Sequence, residues 1–167
     1  MTAFVPDAEF IVFESDHWRV NQRVDSLLPG YLVVGARTGS SWSLLSASAL
    51  LELGPVLSAA VRTLQKCLSP EHVHVCSFGH DSGHSLHFHV IPIYEWVKEM
   101  YFQAVTDGGT EVVYPDFADG ASLTLFVSEE FSRGRSLCKV PGPSVREIIQ
   151  ELSSAFAQVR VGRPLKQ

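Results

Sequence analysis

The chain has 167 residues, of which 46% are hydrophobic and 19% charged, and its formal net charge is −5. That balance fits a soluble globular protein with a core and excludes both a disordered chain and a general nucleic-acid surface, which would need a basic excess. Cys67, Cys76 and Cys138 have no C-x-x-C spacing, so a reducing compartment is expected rather than a disulfide framework.

Asp7 and Glu9 stand where a secretory signal would be basic, and no apolar run approaches the ~20 residues of a membrane span. The expectations are a cytoplasmic protein with no membrane partner and no nucleic-acid partner. Arg160, Arg163 and Lys166 make the C-terminus locally basic, read here as a solvated tail.

In chain order, Phe10–Phe13 and Trp18–Asn21 are β-prone runs around the polar Glu14-Ser15-Asp16-His17, which predicts a hairpin. Pro29-Gly30 marks a turn, and Tyr31–Gly35 reads as a buried strand. A serine- and glycine-rich loop follows from Gly39 to Ser43. Ser46 or Ser48 then offers an N-cap to a long helix ending near Leu68. Leu50, Leu53, Leu57, Ala60, Val61, Leu64 and Leu68 form its apolar stripe, and Pro55 should kink it or begin its straight part.

Strands are predicted over His72–Phe78 and Ser85–Tyr94 around the loop Gly79–His84. Glu95–Val105 reads as a helix with Trp96, Met100 and Tyr101 on its apolar face. Asp107-Gly108-Gly109 and Pro115–Gly120 are loops, and Ser122–Arg133 is read as a helix over a strand. A final helix follows Pro143, with Ser144 and Glu147 as a capping box and Ile148, Leu152, Ala155, Phe156 and Val159 inward. Sequential strands with short turns make the class α+β, with an antiparallel sheet.

Most of the chemistry sits in Ser85-Leu86-His87-Phe88-His89-Val90. The alternation puts Leu86, Phe88 and Val90 on the core face and Ser85, His87 and His89 on the other, spaced about 6.5–7 Å apart. Three readings stand side by side. The histidines can simply decorate a solvent-facing strand. They can bind metal, if a hairpin sets Val75 opposite Phe88, His74 opposite His89 and Cys76 opposite His87. Or one imidazole can attack phosphorus while its neighbour donates to the non-bridging oxygens.

The segment Ser85–Pro92 resembles the H-x-H-x-H signature of the histidine triad proteins. Phe13–Val20 is similar to that family's opening hairpin, and Leu28-Pro29-Gly30-Tyr31-Leu32-Val33-Val34 to its P-G-H-x-L-V strand. The resemblance spans roughly residues 10 to 95 and implies hydrolysis or transfer at the α-phosphate of a purine nucleotide derivative. Nucleoside polyphosphates, dinucleoside polyphosphates and phosphoramidates are the implied substrates, through a nucleotidyl-histidine intermediate.

By position, the resemblance makes His87 the nucleophile and His89 the partner that stabilises charge, with Ser82, Ser85, His84 and Asn21 as nucleotide contacts. It implies a homodimer and no required cofactor, a divalent cation being able to accompany the substrate. Two departures stand out: Ser85 replaces the first triad histidine, and Arg37-Thr38 lacks the histidine of the family's basic pair. Nucleotide binding without turnover is therefore the rival reading.

The expected architecture is one α+β domain over residues 1–167 with a histidine-triad-like core at about 10–95. About five antiparallel strands carry one long helix, and 96–167 form a helical C-terminal extension. Trp18, Trp42 and Trp96 are read as packing residues, Trp42 being the one near the expected nucleotide side. Ser136 and Cys138 beside Lys139 make no hydrolase triad.

Overall fold

The computed structural model describes residues 5–78, 84–107, 119–132 and 140–159. Its centre is a five-stranded antiparallel sheet in the order β1-β2-β3-β5-β4, formed by β1 (Ile11–Glu14), β2 (Trp18–Gln22), β3 (Leu32–Ala36), β4 (His72–Cys76) and β5 (His87–Ile93). β1 and β2 form the expected hairpin, pairing Phe13 with Val20, with a register irregularity between Ile11 and Phe13. The α+β antiparallel architecture is as the sequence led us to expect.

One face of the sheet carries Trp18, Val20, Leu32, Val34, Phe88 and Val90, all buried beneath α1 (Ala47–Leu68) and α4 (Val145–Gln158). Ser46 caps α1 by accepting from the Ala49 N–H, and the Trp18 indole donates to the Ala49 carbonyl at 2.9 Å, tying helix to sheet. The buried stripe of α1 differs from the expected one. Ala49, Leu53, Val56, Ala59, Ala60, Thr63 and Leu64 are buried, while Leu50 is exposed. Small residues let the helix lie close to the sheet, so the contact line follows the alanines and not the largest side chains. Pro55 lies inside the helix, and the Leu51 carbonyl it cannot bond belongs to a residue 80% exposed, on the solvent side of α1.

α4 begins with the expected capping box between Ser144 and Glu147. It packs on α1 and β1 through Ile148, Ile149, Leu152 and Phe156, with the Phe156 ring stacked on Phe13 at 5.3 Å. The C-terminal helix, part of the expected helical extension, thus contributes to the main core.

Among the described residues, the opposite face is covered over only part of its length. α2 (Glu95–Asp107) and α3 (Gly120–Glu130) enclose Ile91 and Ile93 with Leu28, Tyr31, Val97, Leu123, Val127 and Phe131. Asp119 caps α3, whose helical state follows the sequence reading although its start lies two residues earlier. His74 reaches up to this layer, its Nδ1 standing 3.2 Å from the Thr124 hydroxyl. The Leu27 N–H donates to the Phe131 carbonyl at 2.7 Å, so the β2–β3 connection is bound to the end of α3.

Between β2 and β3 the chain turns at Gly30, whose φ of +78° lies in the left-handed region. Its N–H donates to the buried Gln22 side chain, which in turn donates to the Leu28 carbonyl. A Cβ at Gly30 would lie 2.5 Å from Leu68 Cδ1 and 3.0 Å from Leu64 Cδ2. Gly30→Ala is expected to cost about 2–4 kcal/mol of stability, from backbone strain and overpacking together. Denaturant unfolding checks this, and an unchanged midpoint would contradict the packing described.

Candidate functional site

Among the described residues, the helical cover on the second face ends at His89. Along β5 the residues on this face run His87, His89, Ile91, Ile93, and only the last two lie within the apolar cluster under α2 and α3. Register places Asn21, Val33 and His89 side by side across three strands, and Arg19, Gly35 and His87 in the next row. A cavity of about 470 Å³ opens over these rows. Asn21, His84, Ser85, His87 and His89 all line it, so the structure brings together every described nucleotide-contact residue of the sequence reading. Ser82 lies outside the described residues, as do Ser136, Cys138, Lys139 and the basic residues Arg160, Arg163 and Lys166.

The two strand imidazoles lean together, with ring centroids 5.0 Å apart at 67°. His87 Nδ1 is 2.9 Å from the Ser85 carbonyl oxygen. A carbonyl only accepts, so Nδ1 must carry the proton, and in the neutral ring Nε2 holds the lone pair. The acceptor is main chain. Replacement of the first triad histidine by Ser85 therefore does not remove the group that orients His87. His84 stands on the pocket side as well, its ring 6.5 Å from that of His87. Strand alternation alone would turn it to the other face, but β5 begins only at His87 and the preceding residues are not held to that alternation.

His89 is buried, and its Nδ1 lies 3.0 Å from the Tyr31 hydroxyl. Arg23 donates to that same hydroxyl at 2.9 Å, to Ser128 Oγ on α3 at 3.1 Å, and with two nitrogens to the Asp25 carboxylate at 2.6 and 3.0 Å. Burial pushes the Tyr31 phenol up, against the opposing pull of Arg23, so it stays protonated at neutral pH. The hydrogen bond from Arg23 holds Asp25 below the usual carboxylate range despite its partial burial. Burial opposes the Arg23 charge, yet Asp25 and Tyr31 outweigh it and its pKa is raised. Arg23 donates to the Tyr31 oxygen, and the protonated phenol has its own proton to offer to His89 Nδ1. None of Arg19, Arg23, Asp25 and Tyr31 stood out as site residues in the sequence; the one available signal was Tyr31 in the histidine position of P-G-H-x-L-V.

Two sequence expectations are corrected. The β4–β5 register differs by two residues from the one anticipated: Val75 pairs with Val90, His74 with Ile91 and Cys76 with His89. An even shift keeps each residue on its face but moves His74 away from His89 to α3. Burial also pushes the Cys76 thiol up, opposing the thiolate that zinc would require. Among the described residues, no three His, Cys, Asp or Glu side chains are grouped to hold a metal ion. Trp42 is not on the nucleotide side; its ring meets the edge of Phe88 at 5.5 Å, on the face that bears α1.

No protein-family model matches the chain, and no curated protein does. Solved structures do. A uridylyltransferase matches with a TM-score of 0.59 at 12% identity, over 91% of this chain and 42% of that one. A hypothetical histidine triad nucleotide-binding protein from Sulfolobus tokodaii strain7 matches with a TM-score of 0.54 at 14% identity, over 90% and 85% of the two chains. A zinc-bound histidine triad family protein from Mycobacterium smegmatis has a TM-score of 0.52 at 12% identity, over 89% and 84%. The chain has the histidine-triad-like fold.

Nitrogen NMR of the neutral rings is expected to put the His87 proton on Nδ1 and the His89 proton on Nε2; the reverse pattern would contradict the partners assigned. Ser85→Ala should leave the His87 pattern intact because the acceptor is the main chain. Tyr31→Phe, which takes a partner from both Arg23 and His89, should cost about 1–3 kcal/mol in chemical denaturation.

Proposed function

We propose that the protein binds a purine nucleotide derivative over His87 and His89 and cleaves or transfers its nucleotidyl group at the α-phosphorus. The observation that carries this reading is the hydrogen bond of His87 Nδ1 to the Ser85 carbonyl, which makes Nε2 the nucleophilic nitrogen within the pocket. The fold it shares with a nucleotide-binding protein and a uridylyltransferase supports the same reading.

In the first step the Nε2 lone pair forms a bond to the α-phosphorus. The bond to the leaving group breaks, and its electron pair departs with that group. His89, 5.0 Å away ring to ring, donates its Nε2 proton as a hydrogen bond to the non-bridging oxygens as charge builds there. In the second step water, or another acceptor, attacks the same phosphorus and loses a proton. The nucleoside monophosphate leaves, and the electron pair of the P–N bond returns to His87. Asn21, buried in the row of His89, is assigned to the ribose and His84, on the pocket side, to the phosphate, with Ser82 a further phosphate contact by the sequence resemblance alone. The assembly proposed is a homodimer in the cytoplasm, with no resident cofactor.

The chemistry requires only one nucleophile and one donor, both of which the site retains, so we favour turnover over binding alone. Incubation with an adenosine phosphoramidate and with dinucleoside polyphosphates should release the monophosphate. His87→Ala should lower the rate by at least ~10³-fold, since the covalent route is lost. Equal background rates for both proteins across that panel would end the enzyme reading. Saturable binding of the monophosphate in calorimetry without any release would then favour the rival.

A further inference from the structure

Displacement at phosphorus leaves protons to be carried. An amine departs only if it gains one, and the water of the second step must lose one. The groups already assigned to the reaction cannot carry them. His87 Nε2 is taken up by the bond to phosphorus, and its Nδ1–H is held by the Ser85 carbonyl. His89 has its Nδ1 on the Tyr31 hydroxyl and its Nε2 proton on the non-bridging oxygens. A nucleophile and a hydrogen-bond donor therefore suffice only for a leaving group that departs as a stable anion.

Among the described residues lining the cavity, the other charged or titratable side chains are Arg19, Arg23, Asp25, Arg37 and His84. A guanidinium keeps its proton throughout. Arg23 binds both oxygens of Asp25 and holds that carboxylate ionised, which makes it a poor proton acceptor. The Ser85 hydroxyl does not ionise in the working range. That leaves His84, and histidine is the side chain suited to giving and taking a proton near neutral pH.

The chain path brings His84 to the reaction. The Leu86 N–H donates to the Gly39 carbonyl at 3.1 Å, and its carbonyl accepts from Ala36 at 2.8 Å, so Leu86 is pinned beside the end of β3. Ahead of it Ser85 and His84, consecutive in sequence, both line the cavity, which a regular strand would not allow. The ring centroids of His84 and His87 are 6.5 Å apart. That is too wide for the rings to bond each other directly, and wide enough for a reacting phosphoryl group to touch both. His84 is exposed where His89 is buried, so its ring exchanges protons with water between turnovers.

We propose that His84 is the acid and base of the reaction, a third catalytic imidazole supplied from outside the alternating row of β5. This rests on the reading of His87 as the nucleophile and adds the proton carrier which that reading lacks. In the first step the His87–phosphorus bond forms and the bond to the leaving nitrogen breaks. The electron pair of that bond takes the proton of the His84 imidazolium, and a neutral amine departs. In the second step water attacks phosphorus and its proton passes to the now neutral His84. The pair of the P–N bond returns to His87, and both imidazoles are back in their starting states.

A leaving-group comparison tests this. With enzyme in excess, release in the first turnover is timed for adenosine phosphoramidate, whose amine needs a proton, and for the nitrophenyl ester of AMP, whose phenolate does not. In His84→Gln the ratio of the phosphoramidate rate to the ester rate is expected to fall by about 10²-fold from its wild-type value, the usual scale of general acid catalysis. A residue that only shaped the pocket or held the phosphate would slow both substrates alike, so a fall of less than tenfold overturns the proposal. If His87→Ala releases both leaving groups as fast as the wild type, the reading of His87 fails, and this inference fails with it.

Discussion

The hydrogen bond from His87 Nδ1 to the Ser85 carbonyl decides what the pocket can do. It selects the tautomer, and the tautomer selects which nitrogen can attack. The bond is local, spanning two residues, but the position of its ring depends on the whole sheet. β5 lies between β3 and β4, so both of its edges are hydrogen-bonded and its residues cannot rotate out of register. Phe88 and Val90, buried under α1, fix that strand from below. His87 and His89 are then held on the upper face by the same alternation that buries their neighbours.

A second set of contacts does for His89 what the main chain does for His87. Tyr31, Arg23, Asp25 and Ser128 form a chain of hydrogen bonds from the buried ring to α3. The helices of the second layer thus do two things. They exclude water from Ile91 and Ile93, and through Ser128 they help hold the arginine that donates to Tyr31, the partner of His89. Among the described residues the cavity lies where that layer stops, so one wall is a polar network and the floor is the sheet at Gly35.

Much of this was legible in the residues themselves. The period of two in Leu86–Val90 assigned both faces of β5 correctly, because parity needs no knowledge of partners. The Ser144/Glu147 capping box located the last helix for a similarly local reason. What could not be read depended on distance along the chain. The β4–β5 register is set by packing and loop path, and alternation admits any even shift. The α1 stripe follows close approach to the sheet, which favoured alanines over Leu50. The Arg23–Ser128 contact joins residues 105 positions apart, and nothing in the local pattern around Arg23 announces it. Tyr31 read as an ordinary strand residue, although its polar tip needed a partner once buried.

The central claim is that a bond forms between His87 Nε2 and the phosphorus of a nucleotide. Rapid quenching of the reaction into alkali, followed by mass spectrometry of the peptides, observes that bond directly. The account predicts a nucleoside monophosphate adduct on the peptide that carries His87, localised to that ring by fragmentation and lost on mild acid treatment. Substrate turnover with an adduct on another residue, or with none at any quench time, would contradict it.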